Sequence, residues 1–212
     1  MQKPLLYTYR RCPYAMRARM ALLVAGVAFY AHEVSLRDKP QAMLARSPKG
    51  SVPVMLLPGG EVLKQSWDIM RYALERAAAK HWWAAAQTAE NLEWLAHNDG
   101  ILKHHLDRYK YPERYANADR NNHREQALEH FLRPLEQRLA HSNFLGGSEA
   151  CATDLAIFPF VRQFAAVAPD WFEQAPLCAT RDWLSLWLSS PLFARCMVKL
   201  PKQIDCPFPQ PD

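Results

Sequence analysis

VPVMLLPGGEVLKQSWDIMRYAL, residues 52–74, changes its hydrophobic rhythm twice within 23 positions. Val52 to Leu57 is a short apolar run closed by Pro58-Gly59-Gly60, which predicts a strand entering a tight turn. Glu61 to Lys64 predicts a second strand. From Ser66 onward the apolar residues take helical spacing, predicting a helix to about Ala78 with Ser66 placed to cap it. The unit is ββα. Pro53 stands at the entry of the first strand, where its missing N–H costs no ladder bond. Its peptide bond with Val52 is open to either isomer, although only about 5–6% of X–Pro bonds in folded proteins are cis. Ser66 has two readings: an N-cap, or part of an anion site at a helix N-terminus.

Upstream, Leu5 to Tyr9 predicts a strand and Pro13 a helix start, since proline is tolerated at the first helical position. Met16, Met20 and Leu23 share a helical face, and Gly26 can end the helix. Phe29 to Val34 predicts another strand, and Pro40 to Ala45 a short helix. The order before residue 79 is therefore βαβ, α, ββα. Cys12 lies directly before Pro13, with no second cysteine at CxxC spacing. At a helix N-terminus, unpaired N–H groups and the helix dipole favour a thiolate over a thiol and lower its pKa from ~8.5. Arg10 and Arg11 add positive potential. The alternative is a small buried thiol without chemistry.

After Ala79 the strand signals stop. No glycine occurs between Gly60 and Gly100, and helical patterns run over about Trp83–Tyr109, Asp119–Ala140, Thr153–Ala168 and Thr180–Leu188. The proline-rich CPFPQPD tail predicts irregular chain. These features define an α/β domain over residues 1–79, a short linker near Lys80 to Trp83, and an all-helical domain over residues 84–212.

The 212 residues are 50% hydrophobic and 22% charged, enough for a sizeable core. A net charge of +5, without a basic run, argues against nucleic acid and suits a small anionic ligand. The longest apolar run, Met20 to Ala31, is too short for the roughly 20 residues of a membrane span. No targeting segment is evident, so the expected compartment is the cytoplasm. Five widely spaced cysteines fit reduced thiols there. His104 and His105, adjacent on one helix, are expected to point to different faces, which argues against zinc; no metal is expected.

Three stretches, RRCPYAMRARMAL, the 52–74 block and FLGGSEACATDLAIFPFVRQF, resemble the glutathione transferases over nearly the full chain. The resemblance implies a thioredoxin-like N-terminal domain with a mixed four-stranded sheet, and a C-terminal helical bundle. Cys-Pro-Tyr-Ala is similar to the cysteine-type, Omega-like members, with Ala15 standing where a dithiol glutaredoxin has its second cysteine. Carried over, Cys12 is the catalytic thiol, and Val52 pairs through its backbone with the cysteinyl unit of glutathione. Pro53 is the cis-proline, and Gln65 with Ser66 holds the γ-glutamyl end. Lys39 reaches toward the glycine carboxylate, with Lys49 a rival. The implied activity is glutathione-dependent thiol transfer and reduction, with glutathione as cosubstrate and a disulfide or electrophile as second substrate. Conjugation of electrophiles and a non-catalytic binding role are the alternatives, and a homodimer is implied. Tyr14, His105, Tyr109 and Phe164 are candidates for the second-substrate side, or else core aromatics. At the buried capping box of the helical half, Asp154 matches the family, but Cys151 replaces the usual Ser or Thr. Sulfur is a weak acceptor, so either Thr153 takes part or the cap is weak.

Overall fold

The computed structural model describes residues 3–209. The described residues divide into two compact units, one formed by residues 3–80 with 190–209 and the other by residues 81–189.

The first unit is built on β1 (Leu5–Thr8), α1 (Pro13–Val24), β2 (Phe29–Glu33), α2 (Gln41–Arg46), β3 (Val54–Leu56), β4 (Val62–Leu63) and α3 (Ser66–Leu74). β1 and β2 are parallel, so they need a crossover, and α1 supplies it. α1 ends in a Schellman closure: Val27 N–H donates to Leu22 O at 2.9 Å and Gly26 N–H to Leu23 O at 3.1 Å. Gly26 takes φ +63°, the left-handed region the motif requires. β3 runs antiparallel to β1, and β4 antiparallel to β3. Leu6, Ala31, Val54 and Met55 are fully buried in the sheet.

The sheet has five strands rather than four. β5 (Asp205–Phe208) takes in the first three residues of the CPFPQPD tail expected to be irregular, whose last three lie outside the described residues, and pairs antiparallel with β2, giving the order β4-β3-β1-β2-β5. The prolines concealed it, because proline breaks a central strand but not an edge one. Phe208 stacks on Phe29 with ring centroids 5.1 Å apart, and Asp205 Oδ1 lies 2.6 Å from His32 Nδ1. The same C-terminal stretch contributes a helix, Pro191–Cys196, that packs on α1.

The second unit holds α5 (Ala89–His97), α6 (Lys103–Lys110), α7 (Arg120–Ala127), α8 (Arg133–Ala140), α9 (Ala152–Ala165), α10 (Pro169–Gln174) and α11 (Cys178–Leu188); α4 (Lys80–Ala85) precedes them and α12 is the Pro191–Cys196 helix. The long helix expected over 83–109 is interrupted before α5, where Thr88 Oγ1 accepts from Asn91 N–H at 3.2 Å and starts a new helix. α5 runs into α6 through a π-type stretch at Asn98–Leu102, and α7 into α8 through another at Leu128–Leu132. α9 is mostly apolar and buried over most of its length, so it is the axis of this core.

The turn before α9 is fixed by Asp154. Its carboxylate accepts from the N–H groups of Leu145 and Cys151, both at 2.9 Å, from Gly146 N–H at 3.3 Å and from Trp183 Nε1 at 3.0 Å. Asp154 and Cys151 form the capping box at the start of α9. A Cβ on Gly146 would come within 2.4 Å of Glu149 O, which explains glycine there.

Candidate functional site

Strand polarity gathers the candidate residues of the first unit at one end of the sheet. Tyr7 pairs with Val54, so the loop entering β3 lies beside the C-terminal end of β1. Met55 pairs with Leu63, so β4 leads out at that same end into Gln65-Ser66. Thr8 pairs with Glu33, so β2 also leaves there, toward Lys39.

Cys12 is the N-cap of α1, with φ −78° and ψ 121°. Its Sγ faces Val52 O at 3.7 Å, a long contact typical of a weak thiol donor. The Val52–Pro53 peptide is cis. Cys12, Val52 and Pro53 are thus brought together. α3 begins one residue earlier than a Ser66 cap would allow: Gln65 holds the cap position without a side-chain cap bond, and Ser66 is the first helical residue, 6% exposed. Its hydroxyl is therefore not the cap, and the first-turn N–H groups of α3 have no partner within the helix. Gln65 is exposed beside it. Lys39 is half-buried, and its Nζ would lie 3.3 Å from a Cβ built on Gly50, two residues before Val52; Lys49 is exposed.

Two residues that sequence reasoning passed over hold the thiol loop. Arg19 is 2% exposed and donates from Nη1 to Thr8 Oγ1 at 2.6 Å, from Nη2 to Arg10 O at 2.9 Å and from Nε to Cys196 O at 3.1 Å. Glu33 Oε1 accepts from Arg10 N–H at 2.8 Å. The available signal was a basic residue inside the apolar run MRARMALLV, since a charge on a buried face must have partners.

Tyr14 is half-buried on α1, with the Arg17 guanidinium 5.0 Å from its ring centroid. The other three aromatic candidates belong to the second unit. Tyr109 and Phe164, each 1% exposed, pack with ring centroids 5.0 Å apart and are core residues of that unit. Burial raises the Tyr109 phenol above its ordinary pKa. His105 Nδ1 lies 2.9 Å from His123 Nδ1. Burial, followed by neighbouring positive charge, lowers the His105 pKa to about 4, and burial lowers that of His123. The expectation that His104 and His105 diverge is corrected: one ligating atom from each of His104, His105 and His123 falls within 4.8 Å of the others. Adjacent helical residues differ by about 100°, and α7 places His123 in the wedge between them.

Residues 6–81 match the glutathione S-transferase N-terminal domain and residues 93–189 the glutathione S-transferase C-terminal domain. The chain belongs to the glutathione transferase family. It is 26% identical to mouse glutathione S-transferase omega-1 over 87% of its own length and 75% of that protein. It is 34% identical to pyrimidodiazepine synthase of Drosophila melanogaster, over 34% of its own length and only 30% of that relative. A crystal structure of a glutathione transferase family member from Pseudomonas fluorescens, with two glutathione bound, shares the fold at TM-score 0.74 and 18% identity, covering 92% of each chain.

Proposed function

We propose that the protein is a glutathione-dependent thiol transferase with Cys12 as nucleophile. The observation that carries this reading is the Cys12 thiol at the N-terminus of α1, 3.7 Å from the carbonyl of the residue before a cis-proline. The mouse omega-1 relative supports glutathione as the cosubstrate. In the bound state, the backbone of Val52 pairs with the cysteinyl unit of glutathione. Ser66, Gln65 and the first-turn N–H groups of α3 receive the γ-glutamyl carboxylate, as helix N-termini favour anions. Lys39, whose Nζ would lie 3.3 Å from a Cβ on Gly50, meets the glycine carboxylate.

The chemistry needs one thiolate at each step. Cys12 thiolate attacks the glutathione sulfur of a mixed disulfide, forming a Cys12–glutathione disulfide and releasing the other thiolate. A second glutathione thiolate then attacks the same glutathione sulfur. Glutathione disulfide leaves and Cys12 thiolate is restored, with no resolving cysteine required. Cys12→Ser should abolish reduction of a glutathionylated peptide while leaving glutathione affinity within about twofold, since the peptide contacts persist. Full activity in that variant would remove Cys12 from the mechanism, and loss of glutathione binding in calorimetry would mean that the substitution disturbed the site itself.

A further inference from the structure

We infer that His104, His105 and His123 form a binding site for a divalent transition metal ion of the zinc, copper or nickel class. The site lies wholly in the helical unit and is independent of the thiol chemistry. Its ligating atoms lie within 4.8 Å of one another and come from two helices, α6 and α7. Ring centroids are 4.8 Å apart for His104 and His105, 5.1 Å for His105 and His123, and 5.9 Å for His104 and His123. The Nδ1–Nδ1 distance of 2.9 Å between His105 and His123 has a chemical consequence. Two N–H groups cannot face each other at that distance, so at least one nitrogen presents a bare lone pair. Two imidazole nitrogens on one tetrahedral zinc ion, with bonds of about 2.0–2.1 Å, stand about 3.3 Å apart. A small ring rotation therefore converts the hydrogen-bonded pair into a ligand pair. His104 is exposed and the other two are half-buried, so an ion can enter from solvent and find an open fourth position for water.

Imidazole donors select zinc, copper and nickel over magnesium or calcium. The local charge works against the ion. Arg108 Nη1 lies 3.1 Å from His104 Nδ1 and occupies its lone pair. His130 adds positive potential when protonated. Asp119, which caps α7, is the acidic group acting on His123, and Asp107 is paired with Lys103. Three neutral ligands beside a guanidinium make a site of moderate affinity, and Arg108 is its internal competitor.

The test is titration of chelator-treated, tag-free full-length protein with zinc ion alone in a calorimeter, with cobalt(II) absorption as a second probe. One equivalent should bind saturably. His123→Ala and His105→Ala should each weaken binding by about tenfold or more, the loss expected when a site's coordination is disrupted. Arg108→Gln should tighten it, because the guanidinium no longer competes for the His104 lone pair. If either half-buried variant melts early without metal, His104→Ala, at an exposed ring, carries the same expectation. Equal binding by wild type and the histidine variants would overturn the site, as would an intense thiolate charge-transfer band with cobalt or an Arg108→Gln variant that binds no better.

Discussion

Cys12 and Cys151 carry the same side chain in opposite surroundings. Cys12 sits half-buried where α1 offers its unpaired N–H groups, a position that stabilises a thiolate. Cys151 is fully buried beside the Asp154 carboxylate, and burial, then that charge, push its thiol up to about 12. Iodoacetamide at neutral pH should therefore label Cys12 rapidly and leave Cys151 untouched up to about pH 9, because only the thiolate reacts. Cys196 and Cys206 are buried, so exposed Cys178 is the internal control, mapped by peptide mass spectrometry. Labelling of Cys178 ahead of Cys12 would count against an activated nucleophile. Ser66 gives a second test at this scale. Ser66 is nearly buried and does not cap α3, and on the proposed reading its hydroxyl meets the γ-glutamyl carboxylate. Ser66→Ala should weaken glutathione binding by about 1–3 kcal/mol with little change in folding stability. A stability loss with unchanged affinity would make the residue structural.

At the scale of elements, local chemistry was legible in the sequence wherever a residue's backbone role is unique. Pro13 starts α1, Gly26 closes it, and Pro58-Gly59-Gly60 turns β3 into β4. Legibility failed where the choice among neighbouring cap residues, or a distant partner, decides. Ser66 is shifted into α3 because Gln65 takes the extended cap conformation, and Thr88 starts α5 inside what periodicity reads as one helix. His123 joins His104 and His105 only through the packing of α7 on α6. The capping box of α9 lies between these cases: Asp154 was legible, but its partners at Leu145, Gly146 and Trp183 were not. Asp154→Ala would leave four N–H donors, three of them buried, without their acceptor. At about 1–3 kcal/mol for each unsatisfied group, the loss should be at least about 3 kcal/mol in urea denaturation. Cys151→Ser should move the other way, by up to about 1 kcal/mol, because a hydroxyl is the better acceptor for the Asp154 N–H. A neutral Asp154→Ala would mean that the turn before α9 forms without its carboxylate.

Over the whole molecule, the chain's last segment completes the unit with which it begins. α12 delivers the Cys196 carbonyl to Arg19, the same guanidinium that holds Thr8 and Arg10 at the thiol loop. β5 then covers β2, which would otherwise present a free edge from Phe29 to Glu33. Periodicity could not show this, because a four-residue strand with a central proline carries no alternation signal of its own; the pairing of Phe208 with Phe29 supplies what local propensity lacks. Phe208 is 2% exposed, and removing a buried phenylalanine costs about 3–5 kcal/mol. Against a typical domain stability of about 5–15 kcal/mol, that is a large share. Phe208→Ala should therefore lower the denaturation midpoint of the first unit, read by tryptophan fluorescence and by faster labelling of the buried Cys206. Truncation after Gln203 should do more. It strips the edge of β2 and removes the Asp205 partner of His32, so the shortened chain should self-associate in size-exclusion chromatography relative to the full chain, as bare edges do. Unchanged size and an unchanged midpoint in the truncated protein would show that β2 needs no cover and that β5 adds nothing to the sheet.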